Sequence, residues 1–166
     1  MKKLALLISA IVLFGMTSFA QSDSDIAMLQ QYFGVEKIAM LKDYMKLSPQ
    51  QDSAFWPIYN SYETERRELG KQRIMLIKDY MNSISNVSSE RATELVNRGV
   101  NLDIGFKKLQ QKYYKKMLKA VGPVKAAQFY QIENYLNNII NLGIQEQIPF
   151  LGELEQKHDM MPKKKK

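Results

Sequence analysis

Leu47-Ser48-Pro49-Gln50-Gln51-Asp52-Ser53-Ala54-Phe55-Trp56-Pro57-Ile58-Tyr59 reads as the opening of a long helix. Ser48 is placed to accept from the backbone N–H three residues on. Gln51 is placed to reach back to the Ser48 N–H, which completes a capping box. Pro49 suits the first helical position, where no N–H is needed. Leu47 stands before the cap and can pack on the first turn. Pro57 lies well inside, and its missing donor predicts a kink or a delayed regular start.

Beyond Pro57, Ile58, Tyr59, Tyr62, Leu69, Ile77, Tyr80 and Met81 carry a helical apolar period to about Asn82. Glu63-Thr64-Glu65-Arg66-Arg67-Glu68 interrupts it with charge, which predicts a thin, solvent-bathed layer rather than the centre of a fat globule. A third helix starts at Ser88 or Ser89, both good caps. Leu95, Leu102 and Leu109 recur every seventh residue, as do Phe106 and Tyr113, a short coiled-coil-like stripe. Gly99 and Gly105 weaken it as a continuous helix. Gly122-Pro123 ends it and opens a fourth, with Ala126, Phe129, Tyr130, Leu136, Ile139, Ile140 and Leu142 on one face, closing at Gly143 and Pro149. Before the quoted stretch, Leu29, Phe33, Ile38, Leu41 and Met45 mark a first helix over about Ser24 to Lys46, with Gly34 expected to bend or split it. The fold class expected is all-α, with four main helices.

The ends read differently. Met1-Lys2-Lys3, the apolar run Leu4 to Phe14 and Ser18-Phe19-Ala20 form the three-part layout of a signal peptide, residues 1–20, cut before Gln21. The stretch is too short and too interrupted for a spanning helix, which needs about 20 apolar residues. Residues 21–150 are the expected helical domain. Residues 151–166, ending in Lys163 to Lys166, read as a disordered tail. The chain has no cysteine, so thiol catalysis and thiolate metal sites are excluded, and stability must come from packing. The net charge is +7 and is uneven: Ile104 to Ile132 holds seven lysines and no acid. Such a segment fits nucleic acid, an anionic membrane surface or acidic protein. Export disfavours nucleic acid.

Leu47-Ser48-Pro49-Gln50-Gln51 resembles the LTxxQ motif of the Spy/CpxP family of periplasmic proteins, with Ser for Thr. Phe55-Trp56-Pro57-Ile58-Tyr59-Asn60-Ser61-Tyr62-Glu63 and Ala126-Ala127-Gln128-Phe129-Tyr130-Gln131-Ile132-Glu133-Asn134, with Ile148-Pro149-Phe150, resemble the Bacteroidetes-type variant. Val87-Ser88-Ser89-Glu90-Arg91 sits where a second motif is expected and departs from it at Val87 and Arg91. The resemblance covers most of Ile38 to Phe150. It implies a cradle-shaped extended helical hairpin, usually an antiparallel homodimer, in the periplasm of a Gram-negative bacterium. The implied roles are an ATP-independent chaperone for unfolded or misassembled envelope proteins, or an accessory regulator docking on a membrane stress sensor or anti-sigma factor. A structural helical spacer is a third reading.

Catalysis lacks parts. His158 is the single histidine, so no Ser-His-Asp, Cys-His or paired Glu-x-x-His arrangement can be assembled. Glu63, Glu65 and Glu68 are general acid/base candidates, but their spacing suits solvated pairing with Arg66, Arg67 and Lys71. Met28, Met40, Met45, Met75, Met81 and Met117 sit among apolar residues and read as core. Met160-Met161 beside His158 and Asp159 is a conceivable weak metal site, yet no metal and no cofactor are expected. The binding candidate is the third helix, where Lys108, Lys112, Lys115 and Lys119 share a face with Phe106, Tyr113 and Met117 supplying apolar area. Charge there would speed encounter and apolar contact would retain a client. Leu47, Ser48, Gln51 and Ser88 are expected to shape helix ends.

Overall fold

The computed structural model describes residues 23–84 and 86–148, with side chains from Gly34 onward except at 146 and 147. The expected signal peptide and the Lys-rich tail, with His158 and Met160-Met161, lie outside the described residues. Four helices account for nearly all of the rest: α1 (Asp23–Met45), α2 (Pro49–Ser83), α3 (Ser89–Val121) and α4 (Pro123–Gln147). At 1.5 Å per residue, α2 and α3 are each roughly 50 Å long. They form an antiparallel hairpin, with α4 folded back along α3 and α1 against α4. No helix among the described residues is long and apolar enough to cross a membrane.

The capping box at Ser48 is present in both directions. Gln51 N donates to Ser48 Oγ at 3.3 Å, and Ser48 N donates to Gln51 Oε1 at 3.1 Å. Pro49 takes the first turn. The delayed start expected from Pro57 does not occur, because α2 runs from Pro49 through Pro57 to Ser83. Pro57 and Ser53 are both exposed, so the carbonyl freed by the missing N–H faces water and orphans no buried group. Ser61 Oγ donates to Pro57 O at 3.0 Å.

The glycine expectations are corrected in the same sense. Gly34 does not split α1. It is buried, and a Cβ there would stand 3.2 Å from Arg67 Nη2, so it leaves room for the tip of the Arg67 side chain. Gly99 and Gly105 sit inside an unbroken α3, facing Leu76 and Leu69. Gly143 does not end α4, which continues to Gln147. Among the described residues, the one glycine that needs its backbone freedom is Gly122, at φ 83° and ψ 168° between α3 and α4.

The core is concentrated at the end holding the α1–α2 and α3–α4 turns. Leu41, Met45, Phe55, Tyr59, Tyr62, Leu109, Tyr113, Met117, Val121, Ala126 and Phe129 form one buried cluster. Phe129 meets Phe55, Tyr59 and Tyr62 edge-on at 5.8, 6.4 and 5.3 Å between centroids, and Tyr62 meets Tyr113 at 5.3 Å. The two turns at this end are tied together: Gln51 Nε2 donates to Val121 O at 3.0 Å, and Lys125 Nζ donates to Met45 O. Beyond Arg66, α2 has no buried residue, and before Leu102 only Leu95 is buried on α3. The far end is therefore thinly packed. Met75, expected in the core, is 60 % exposed there.

Candidate functional site

The charged block in α2 is the first surprise. Glu63 and Arg66 are buried, so the expectation of a solvated layer is wrong for both. Their stripe explains it. Phe55, Tyr59, Tyr62 and Arg66 lie at helical spacing, which turns Arg66 inward behind the aromatic cluster. Lys37 of α1 and Glu133 of α4 point into the same place and are 1 % and 2 % exposed. Lys37 Nζ lies 2.5 Å from Glu63 Oε1 and 2.6 Å from Glu133 Oε1. The latter is a contact ion pair rather than a directed hydrogen bond. Arg66 donates twice to Glu63, at 2.8 and 3.0 Å. Tyr62 O–H donates to Glu133 Oε2 at 2.6 Å, and Lys37 sits over the Tyr59 and Tyr62 rings.

Two cations and two anions thus close on one another across three helices. Burial would raise the Glu63 carboxyl, but Lys37 and Arg66 outweigh it and hold the group down to about 2. Burial pushes the Tyr59 and Tyr62 phenols well up, with the nearby glutamates adding to it. A neutralised quartet of this kind ties α1, α2 and α4 to one another. Of the other candidates, Glu65 accepts from Lys112 Nζ and Tyr113 O–H, each at 2.7 Å. Glu68 is exposed, 3.9 Å from Lys71.

The binding face divides on inspection. Lys108, Lys112, Lys115 and Lys119 are exposed, as expected. Phe106, Tyr113 and Met117 are 4, 1 and 0 % exposed, which corrects their assignment to the surface. They belong to the buried stripe with Leu102 and Leu109, on the opposite side of α3 from the lysines. Burial, then the bond to Glu65, raises the Tyr113 phenol to about 12. The apolar surface beside the lysines comes from residues the sequence reading passed over. Val96, Val100 and Ile104 are 60, 52 and 45 % exposed at four-residue spacing. The same ridge continues into Lys108 and Lys112, so α3 carries an outward row that is apolar, then basic. Only their spacing relative to the buried heptad signals this in the sequence.

The cap residues do structural work. Leu47 packs against the core cluster. Ser88 Oγ accepts from Arg91 N at 3.2 Å. Where the second motif has Arg91 instead of Gln, the box is not reciprocated. Arg91 reaches α2 instead, to Ser83 Oγ at 3.3 Å. Among the described residues no group of three His, Cys, Asp or Glu is placed to hold a metal. In comparisons with known proteins, no family model, curated protein or solved structure matches the chain.

Proposed function

We propose that the protein is a Spy/CpxP-like, ATP-independent chaperone of the periplasm that holds unfolded or misassembled envelope proteins. The observation that carries this reading is the α3 ridge, where exposed Val96, Val100 and Ile104 run into Lys108 and Lys112. Other apolar side chains are exposed elsewhere, but these three stand in one row along a single helix, and contiguous apolar surface suits contact with another chain. The adjoining lysines attract acidic segments before apolar contact is made. The thin packing of the far end supports the same reading, because a surface that must fit many clients benefits from give. No chemical step is proposed.

The antiparallel homodimer belongs to the same proposal, with the second copy packing along the long α2–α3 hairpin. Sedimentation equilibrium of the purified protein tests it. For the chaperone role, the purified protein is mixed with a chemically denatured client diluted from denaturant, without nucleotide, and light scattering is followed. Suppression at several-fold molar excess is expected, weakened by Val96→Ser/Val100→Ser/Ile104→Ser. Full aggregation in the presence of wild-type protein at low salt would sink the reading. Docking on a membrane stress sensor or an anti-sigma factor is the regulatory alternative. It predicts one stoichiometric partner rather than many clients in envelope pull-downs.

A further inference from the structure

The lysines of α3 form a rail rather than a pocket. At 100° per residue, Lys108, Lys112, Lys115 and Lys119 fall within a sector of about 60° and span roughly 16 Å along the axis. They face away from buried Phe106, Tyr113 and Met117. Lys112 is paired with Glu65, at 2.7 Å. Lys116, beside the rail, stands over the Tyr113 ring at 4.6 Å. Lys108, Lys115 and Lys119 have no ion pair among the described residues. Ile104 to Ile132 contains no acid, and the acids beside the rail are Glu65 and Glu68 of α2, which share a shallow groove with Lys108 and Lys112 and leave Lys115 and Lys119 clear.

At the same end of the molecule two apolar side chains stand out in solvent. Leu118 is 38 % exposed in the last turn of α3, on the flank of the rail about 60° round the helix from Lys115, and Val124 is 69 % exposed in the first turn of α4. Neither is needed by the core. A row of four lysines, three of them unpaired among the described residues, with apolar side chains near one end has the composition of a surface that lies on a lipid interface. Lysine brings a point charge on a flexible stem, without the planar fork that arginine uses to fix a carboxylate. The rail lies on the exposed side of one continuous helix, away from its buried stripe. A flat, delocalised field of negative charge fits such a rail better than an acidic polypeptide does.

We propose that the Lys108–Lys119 rail docks the protein on the surface of an anionic phospholipid bilayer, with Leu118 and Val124 entering the headgroup boundary. The association is peripheral and reversible and works within a Debye length of about 8 Å at physiological salt; it shares Lys108 and Lys112 with the client ridge but does not rest on the chaperone reading. It would keep the protein beside a membrane rather than free in solution.

The test is sedimentation of the full chain with vesicles of phosphatidylcholine alone and of phosphatidylcholine with one-third phosphatidylglycerol. Neutral vesicles register whatever the apolar Leu4–Phe14 run contributes. An excess on anionic vesicles is expected, and it should vanish in molar salt. Lys108→Gln/Lys115→Gln/Lys119→Gln should lower the excess by at least tenfold, since each lysine near such a surface is worth about fivefold in partitioning. The arginine version of the triple variant should keep it. These lysines are exposed, so unfolding curves of both variants should overlay the wild type. Equal binding to the two vesicle types overturns the proposal. So does a triple Gln variant that binds like wild type while Lys163 to Lys166→Gln abolishes the excess, which would assign the charge to the tail. Retention on immobilised polyglutamate with no excess on anionic vesicles overturns it in favour of an acidic polypeptide.

Discussion

Lys37, Glu63, Arg66 and Glu133 come from three helices and meet with almost no access to water. Breaking one partner of such a set costs more than the set contributes, because the remaining charge stays buried. Lys37→Met should therefore lower unfolding free energy by about 3–5 kcal/mol, read from urea midpoints. The pH dependence has a definite sign. Glu63 is held at about 2, below its ordinary value of 4.5, so folding favours its charged form. The stability it contributes is complete above pH 4.5 and is lost as pH falls from there toward 2. Its limit is about 3 kcal/mol, from the size of the shift. Glu63→Gln should flatten the acid limb of a stability–pH curve in that window. An unchanged acid slope in Glu63→Gln would mean that the quartet is not its source.

At the scale of the element, the helix ends repay the closest reading. α1 stops at Met45 and Lys46 follows with φ 44°, a left-handed position that glycine takes without strain. Lys46 is exposed, so the change removes no packing. Lys46→Gly should raise stability by about 0.5–1 kcal/mol, against a wider unfolded ensemble, and thermal unfolding measures the shift. A drop in melting temperature would show that the Lys46 side chain matters more than its backbone. These ends were also what the sequence disclosed best. Ser48, Gln51, Ser88, Gly122 and Pro123 act through neighbours a few residues away, so their chemistry is visible in a short window. The buried quartet was not, because Glu63 meets Lys37 across 26 residues and Tyr62 meets Glu133 across 71. The sign was there nonetheless. Glu133 occupies the stripe of Ala126, Phe129 and Leu136, and Arg66 that of Phe55, Tyr59 and Tyr62. Opposite charges on apolar stripes of different helices point to a buried pair. Phe106, Tyr113 and Met117 were misplaced because a lysine-rich helix was read as one face, when its aromatics and its lysines occupy opposite sides.

Over the whole molecule, packing is graded along the long axis. The end with both tied turns holds the aromatic cluster and, behind it, the ion quartet. From Leu69 to Ser83, α2 has only partly buried or exposed residues, and Val96, Val100 and Met75 stand in solvent nearby. Local opening costs least where few apolar contacts must be given up. Amides of Leu69–Ser83 and Ser89–Val100 should therefore exchange with solvent well before those of Phe55–Arg66 and Leu109–Met117. Native-state hydrogen exchange at several urea concentrations distinguishes this from fraying of the Ile84–Ser88 turn alone. In a graded molecule the far segment opens as one unit with its own urea dependence, because exposing it uncovers Leu95 and the underside of both helices. With fraying alone, protection would rise within a turn or two of the loop and carry no urea dependence. Uniform protection across α2 and α3 would contradict the gradient, and would also remove the give on which the client-holding role of the Val96–Ile104 ridge relies. A gradient in the opposite sense would place the stable core at the ridge itself and make the quartet an ornament of the less stable end.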